Sequence, residues 1–273
     1  MKQEITQAIK DNLHNYFRDI HTILPGRIVA FYPDKCEATV SPTAKYFKPD
    51  GTQIDFPDVF HVPVFFSQGM GQTASIVYPV SPDDECLIFV SEQALDLWRT
   101  GAESPTDLRF DITNSIAMVG FFPSPNPLVQ RAYDNQSIII QRDETFVELH
   151  DGKLEVSVHD VDNELEAVSV VINGNSGIID LLTVNTTKGR TTFDIELDGQ
   201  NGTIGFTSNN VEENKTVVNY KFDGQEGNVN ASVTNYDTDI TTISLSVDGQ
   251  NGTVSLTTFD KDTGLVTGGL SAP

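Results

Sequence analysis

Four glycine-rich turns near the C-terminus carry the clearest metal-ligating chemistry in this sequence. Three of them read Asp-Gly-Gln-Asn-Gly or Asp-Gly-Gln-Glu-Gly, at residues 198–202, 223–227 and 248–252, and a looser copy occupies 173–177. Carboxylates bind calcium, but a calcium ion takes about six to eight oxygen ligands, and each of these three turns offers one aspartate. We therefore expect the aspartates to shape the turns, because Asp-Gly and Asn-Gly tolerate positive φ.

The histidines do not complete a metal site either. Only His150 and His159, nine residues apart, come near a metal-ligand spacing. A lone histidine is more often a hydrogen-bonded surface or core residue than a ligand. We predict no metal site and no cofactor from the five histidines, which are His14, His21, His61, His150 and His159.

Residues for catalysis form no recognisable motif. The sequence has no Ser-His-Asp order, no Gly-x-Ser-x-Gly and no phosphate-binding loop. Its many carboxylates leave a pair for glycoside cleavage open, because the separation of the two groups in space decides that chemistry. We predict that the chain is not an enzyme.

The turns recur at a fixed spacing, which predicts a repeated structural unit. Their starts at 173, 198, 223 and 248 differ by 25 residues each time, and chance turns do not keep one period over four copies. Apolar residues alternate with polar ones on both sides of each turn, so every copy reads as two short strands with one apolar face. The alternating apolar positions are Val168, Val170, Ile172, Ile179, Leu181, Phe193, Ile195, Leu197, Ile204, Phe206, Val218, Tyr220, Phe222, Val229, Ala231, Ile243, Leu245, Val247, Val254 and Leu256.

A single 25-residue copy has too few inward side chains to cover its own apolar face. Three identical chains wound around a common axis would share that burial, and we predict an intertwined, triple-stranded β-helical shaft. A single-chain β-meander with a hairpin at each Asp-Gly is the alternative. The predicted trimer core is Val170, Ile172, Phe193, Ile195, Leu197, Ile204, Phe206, Tyr220, Phe222, Val229, Ile243, Leu245, Val247, Val254 and Leu256.

The composition restricts the partners. The 273 residues carry a formal net charge of −22 with a pI near 4.3, whereas nucleic acids and anionic lipids require clustered Lys and Arg. From residue 143 onward, 22 acidic residues oppose 6 basic ones, as expected for a solvated outer surface on the repeats. No apolar run approaches the length of about 18 residues that a transmembrane helix needs.

Residues 1–24 are predicted to form an amphipathic helix that packs on its own barrel or on a partner. Charged residues such as Glu4 and Lys10 interrupt the apolar core that a secretory signal requires. We expect Cys36 and Cys86 to be buried, reduced thiols of a protein that folds in a cytoplasm. The apolar side of the helix consists of Ile5, Ile9, Leu13, Tyr16, Phe17 and Ile20.

Residues 25–123 change to short strands separated by Pro, Gly and Asp turns, which predicts an OB-type barrel with one short helical insertion. OB barrels that bind nucleic acid use aromatic side chains interleaved with cations, and the loops here are acidic instead, so we expect no nucleic acid. The Pro-rich residues 124–136 predict a semi-rigid linker, and residues 137–273 the shaft and tip. The acidic loop residues are Asp50, Asp55, Asp58, Asp83 and Asp84.

One stretch carries a family resemblance. Residues 109–123, which begin Arg-Phe-Asp-Ile and end Gly-Phe-Phe-Pro, resemble the closing strand of the N-terminal OB domain of contractile-tail phage spikes, the membrane-piercing proteins at the centre of the baseplate. The resemblance extends through 24–29, 78–80 and 84–89, and so covers residues 20–125 by motif. It implies a homotrimer whose OB collar sits under the tail-tube hub protein.

The C-terminus departs from that family. Related spikes hold an iron on the threefold axis through a His-x-His pair near the C-terminus, and this sequence has no histidine after His159. We expect either a separate tip protein that docks on residues 264–273 or an apolar plug formed by Leu265, Val266 and Leu270. The sequence leaves open whether an ion lies on the axis.

The sequence therefore predicts a structural baseplate spike that punctures the host outer membrane when the tail sheath contracts. It would be part of the virion and be made in the host cytoplasm. Eight strands from the four copies, at about 4.8 Å each, span roughly 38 Å, close to the ~40–45 Å of a membrane with its headgroups. The alternatives are a trimeric β-helical tail-fibre enzyme that degrades surface polysaccharide, an OB-fold single-stranded nucleic-acid binder, and a secretion-system spike.

Overall fold

A computed structural model describes residues 7, 10, 13, 20–48, 50–101 and 108–273. The chain divides into two compact units, Met1–Pro125 and Asn126–Pro273. Strands dominate both units, which confirms the mainly-β class. Most of the helix predicted at 1–24 lies outside the described residues, and the end of that stretch, Ile23 and Leu24, belongs to the first strand. No helix of the described residues is long and apolar enough to cross a membrane.

The first unit is a half-barrel, where the sequence predicts an OB-type barrel. Its main sheet has the strand order β5-β2-β1-β8-β9. A parallel bridge between Val64 and Ala117 links the two outer strands, and the Phe65 N–H donates to the Ala117 carbonyl at 2.8 Å. The elements are β1 Ile23–Tyr32, β2 Glu37–Pro42, β3 Lys45–Phe47, β4 Gln53–Asp55, β5 Val59–Pro63, β6 Ser67–Gly69, a 3-10 turn Met70–Gln72, β7 Ala74–Ile76, β8 Glu85–Val90, α1 Asp96–Thr100 and β9 Ser115–Val119.

The half-barrel has its own apolar core. Strand side chains point alternately to the two faces of a sheet, and the inward ones are Ile28, Ala38, Val40, Val59, Val62, Val64, Cys86, Ile88, Ala117 and Val119. Burial, with a smaller contribution from the charge of Glu85, raises the pKa of the Cys86 thiol to about 11. Cys36 is exposed, at the end of the turn that leads into β2 and with φ of 53°. The prediction of a buried thiol is therefore wrong for Cys36.

The second unit begins with a helix where the sequence predicts a linker at 124–136. Helix α2 spans Pro127–Asn135 and begins at Asn126, whose side chain accepts a hydrogen bond from the Leu128 N–H at 2.8 Å. Proline is favourable at the first helical position because its missing N–H would be unpaired there. The helix ends at Gln136, which has a left-handed conformation.

The rest of the second unit is one antiparallel sheet of 12 strands in sequence order, each paired with its chain neighbours. Twelve strands at about 4.8 Å spacing extend on the order of 50 Å. The intertwined β-helix is not confirmed, because the strand pairing lies within a single chain. The strands are β10 Ile138–Arg142, β11 Thr145–His150, β12 Lys153–Asp160, β13 Leu165–Asn173, β14 Ile178–Asn185, β15 Arg190–Asp198, β16 Thr203–Asn210, β17 Lys215–Asp223, β18 Asn228–Asn235, β19 Ile240–Asp248, β20 Thr253–Phe259 and β21 Val266–Ala272.

The predicted turns stack on one another along one side of this sheet, where the strands end. In each turn the first Asp or Asn side chain caps the backbone: Asp198 accepts from the N–H groups of Gln200 and Asn201, both at 3.0 Å. The glycine after it bonds to the preceding turn, as where the Gly249 N–H donates to the Gly227 carbonyl at 2.9 Å. A Cβ at Gly249 would lie 2.6 Å from that carbonyl oxygen, so the stacking requires glycine.

A second row of turns with the same period lies along the opposite side of the sheet, at the other ends of the strands. Each begins with Asp or Asn and ends with a residue of positive φ, as in the turn from Asp160 to Glu164. Next to this row, one residue of every second strand is an unpaired bulge residue. Both features repeat every 25 residues: the turns start at Asp160, Asn185, Asn210, Asn235 and Asp260, and the bulges lie at Ala167, Thr192, Val217, Thr242 and Thr267.

Candidate functional site: the apolar face of the long sheet

Cross-strand register brings the predicted apolar positions onto one face of the long sheet. Ile195 lies opposite Phe206, and Phe206 lies opposite Tyr220 on its other side. Phe193 and Phe206 stack with ring centroids 5.8 Å apart. The same face continues into the first strands of the unit through Ile138, Ile140, Val147, Leu149, Leu154, Val156 and Val158. We call this surface, together with the predicted trimer-core residues, the apolar face.

The apolar face has three parallel columns of side chains. The column beside the Asp-Gly turns is apolar throughout, with Ile172, Ile179, Leu197, Ile204, Phe222, Val229, Val247 and Val254. So is the middle column, with Val170, Leu181, Ile195, Phe206, Tyr220, Ala231, Leu245, Leu256 and Leu270. The third column, beside the bulges, mixes apolar residues with Thr183, Ser208 and Thr258.

No second layer within residues 126–273 covers the apolar face. Phe193 is 43% exposed, Phe222 39% and Ile243 42%. In this unit, all of whose residues are described, only Glu148 and Ser157 are buried, and both are polar. An uncovered apolar surface of this extent marks an interaction surface.

The opposite face of the sheet is polar. Asp180 lies directly opposite Glu196, and the Ser246 hydroxyl donates to Asn230 Oδ1 at 2.9 Å. Most residues of this face carry hydroxyl, amide or carboxylate groups that water can solvate. The sheet thus has one apolar and one polar face, as the alternation predicts.

The turn aspartates accept hydrogen bonds from groups of their own turns. Besides its two backbone bonds, Asp198 accepts from the Asn201 side-chain amide at 2.6 Å through Oδ2. These bonds, that from the Asn201 N–H first, lower the pKa of Asp198, and Asp248 forms the same arrangement with Asn251. This geometry supports a turn-forming role for the aspartates.

Three side chains on the polar face meet at metal-ligand distances, and the sequence analysis did not group them. Glu148 and Glu155 are opposite one another in the register, and His150 Nε2 lies 3.7 Å from Glu148 Oε1 and 3.3 Å from Glu155 Oε2. Arg131 and Lys153 contact the two carboxylates. These cations already neutralise the glutamates, so the cluster is better suited to an internal ion-pair network than to a cation site. His159 lies elsewhere, beside an acidic cavity that includes Asp160 and Glu164.

Glu148 anchors helix α2 to the sheet. Its carboxylate is fully buried and accepts from the Ser137 hydroxyl at 2.6 Å and the Asn135 amide at 3.0 Å. Burial acts to raise the pKa of Glu148, but the bonds from Ser137, Asn135 and Arg131 outweigh it and lower the pKa. The Arg131 guanidinium also lies 4.2 Å from the Phe146 ring centroid. The helix therefore covers part of the polar face and leaves the apolar face open.

The predicted tip residues lie at the free edge of the sheet. Leu270 belongs to β21 and faces Leu256, which places it at the end of the middle apolar column. Leu265 precedes β21, and Val266 begins it. All three are largely exposed, by 69% for Leu265, 65% for Val266 and 75% for Leu270.

Comparison with known proteins gives one finding for the half-barrel. Residues 24–120 match the family model described as the phage protein Gp138 N-terminal domain. The match lies inside residues 20–125, where the sequence resembles phage spikes. No curated protein matches the chain.

Proposed function

We propose that this chain, whose half-barrel is similar to a phage protein domain, is a structural protein of a phage baseplate that acts as a homotrimeric central spike. The family match supports a phage structural role and a place in the virion. The observation that carries the trimer is the uncovered apolar face, which runs along the whole long sheet.

A threefold arrangement suits the shape of this face. A ribbon three inward residues wide measures about 13 Å across, since alternate residues of a strand are ~6.6 Å apart. Two such ribbons packed face to face leave both long sides of the apolar layer open to water. Three ribbons around an axis close each side against the next ribbon, and cyclic symmetry gives every copy the same contacts.

The proposed work is mechanical. Ladder hydrogen bonds inside each chain, the stacked turns and three packed apolar faces would give a stiff rod on the order of 50 Å long. That length exceeds the ~40–45 Å of a membrane with its headgroups, so sheath contraction could drive the tip through the host outer membrane. The polar and acidic outer face would keep the rod from adhering during passage.

Each unit would also contact another protein. The half-barrel would form the collar below the tail-tube hub protein. In the second unit, β21 is an edge strand with unpaired backbone groups and no charged residue, and open edges of this kind readily pair with another strand. We propose that a separate tip protein covers this edge and contacts Leu265, Val266 and Leu270.

A matched pair of variants tests the assembly. Phe206→Asp would place three charges at the common axis, where unpaired charges are strongly destabilising, so we expect monomers by size-exclusion chromatography with light scattering. Thr207→Asp changes the neighbouring residue on the polar face and should leave the mass unchanged. Retained trimers of Phe206→Asp, with a native circular dichroism spectrum, would contradict the proposal.

We also propose that the spike has no catalytic activity. The test is incubation of the purified chain with bacterial capsule and lipopolysaccharide, followed by an assay for new reducing ends. We expect no release above the buffer control. Release at enzymatic rates would favour the polysaccharide-degrading alternative.

A further inference from the structure

The half-barrel contains an open groove, lined only by residues of the first unit. The groove has a volume of about 1000 Å³. It is bounded by the turn before β2, the chain that follows β5, the β6–β7 hairpin and helix α1. In OB barrels, the loop between the first two strands and the loop between the fourth and fifth bind oligonucleotides and oligosaccharides. The β1–β2 turn and α1, between β8 and β9, occupy these two positions here.

Two aromatic side chains in this groove are exposed to solvent. Trp98 from α1 is 70% exposed, and Phe65 after β5 is 46% exposed. Large aromatic rings normally bury most of their surface, because they dominate the gain from removing apolar area from water. Two exposed rings in one groove are therefore a platform for a flat, partly apolar ligand.

The remaining lining supplies further hydrogen-bonding groups, one of which is already used, since the Ser75 hydroxyl donates to the Gln72 carbonyl at 3.5 Å. Ser67, Gln68, Gln72 and Ser75 line the side of the groove formed by the hairpin. Among the described residues, the side-chain amides of Gln68 and Gln72 and the Trp98 indole N–H have no hydrogen-bond partner. Amides both donate and accept, as the hydroxyl groups of a sugar require.

The groove backbone is also strained. Gln72 has φ of 73°, and Cys36, which also lines the groove, has φ of 53°. Non-glycine residues rarely adopt this region, and such strain collects at ligand-binding sites when the surrounding structure holds it in place.

The charges of the groove favour an uncharged ligand. Its lining includes two cations, Lys35 and Arg99. Arg99 is not free for a phosphate, because it pairs with Glu37 and donates to the His61 carbonyl at 3.1 Å. One remaining lysine in a chain of net charge −22 is a poor match for a polyanion, which needs several cations along its path.

We propose that this groove binds an oligosaccharide. The apolar faces of the sugar rings would stack on Trp98 and Phe65, and the ring hydroxyls would bond to Gln68, Gln72 and the neighbouring serines. None of the described lining residues carries a carboxylate, so the proposed activity is binding without cleavage of the glycosidic bond. Such a site would hold the protein at a glycan-coated bacterial surface.

Trp98 is the only tryptophan of the chain, so tryptophan fluorescence reports on the groove. The test titrates maltoheptaose, chitohexaose and oligosaccharide released from bacterial lipopolysaccharide into the full-length protein and follows tryptophan emission. We expect a saturable change with at least one of these sugars. Phe65→Ala and Gln68→Ala should each weaken that binding by about tenfold.

Phe60→Ala is the matched control, because Phe60 is 64% exposed on β5 but does not line the groove. It should bind like the unmodified chain. Absence of a saturable change with every sugar, or equal weakening by Phe60→Ala and Phe65→Ala, would overturn the proposal. Tighter, salt-sensitive binding of a short oligothymidylate would also overturn it and assign the groove to single-stranded nucleic acid.

Discussion

The half-barrel and the long sheet are built from similar strands, but the half-barrel buries its apolar side chains and the long sheet leaves them exposed. In the half-barrel, Ile28 and Ile88 are 1% and 0% exposed, because the curved sheet encloses its own interior. In the long sheet, equivalent apolar residues such as Phe193 remain 43% exposed. The difference teaches that one unit completes its core alone, whereas the other leaves its apolar face uncovered.

The largest effect should come from the one place where the second unit does bury a charge. Arg131→Met keeps the length of the side chain but leaves Glu148 buried without its cation. Leaving a buried carboxylate without its cation costs about 3–5 kcal/mol, and we expect that loss in chemical denaturation at pH 7. Leu128→Met, on the same helix, is the control and should change stability little.

The same pair predicts a pH dependence. The folded-state pKa of Glu148 lies below the ordinary value of 4.5, so its contribution to stability is complete above that pH and is lost as the pH falls through the lowered pKa. The gap between Arg131→Met and the unmodified chain should therefore narrow below pH 4.5, because a protonated Glu148 no longer needs the cation. A gap that stays constant down to pH 3 would contradict the assignment.

The next prediction compares the same truncation, isoleucine to alanine, in the half-barrel and in the long sheet. Ile88→Ala removes a fully buried side chain and should cost about 2–5 kcal/mol, measured as unfolding of the half-barrel at any protein concentration. Ile195→Ala, on the apolar face, should lower the melting temperature of the long sheet mainly at low protein concentration, because its contacts form between chains. Equal behaviour of the two variants over a hundredfold dilution would break the comparison.

A smaller effect should come from the stacked turns. Gly249→Ala would place a Cβ 2.6 Å from the Gly227 carbonyl oxygen, and we expect a loss on the order of 1–2 kcal/mol by thermal unfolding. Gly205→Ala, also in the long sheet, adds a Cβ with no atom within 4 Å. This control should be neutral, and an equal loss from both changes would mean that the turns do not constrain one another.

Much of the long sheet was predictable because its information is local and repeated. The period of 25 and the alternation locate the turns and assign Ile195, Phe206 and Leu245 to one face, as the register confirms. The second row of turns, from Asp160 to Asp260, carried a signal of the same kind, since Asp or Asn recurs every 25 residues. This row is not identified in the sequence analysis, because none of its turns contains Asp-Gly and only two of the five, at Gly189 and Gly264, end in glycine.

Other features depend on contacts that spacing does not encode. The Pro-rich start of the second unit indicates a linker, but Asn126 and Pro127 together form the beginning of a helix. The network around Glu148 joins residues of a helix and two strands, and no motif marks it. The groove brings Phe65 and Trp98 together from distant parts of the chain, so a count of aromatics and cations along the sequence gave no sign of it.

The central claim is that the apolar face of the long sheet is covered by two further copies of the chain. Analytical ultracentrifugation of the unmodified protein at micromolar concentration tests it most directly. Because one chain has a mass of 30.0 kDa, we predict a single species at three times that value, 90 kDa. A species at 30.0 kDa that persists as the protein concentration is raised would contradict the account.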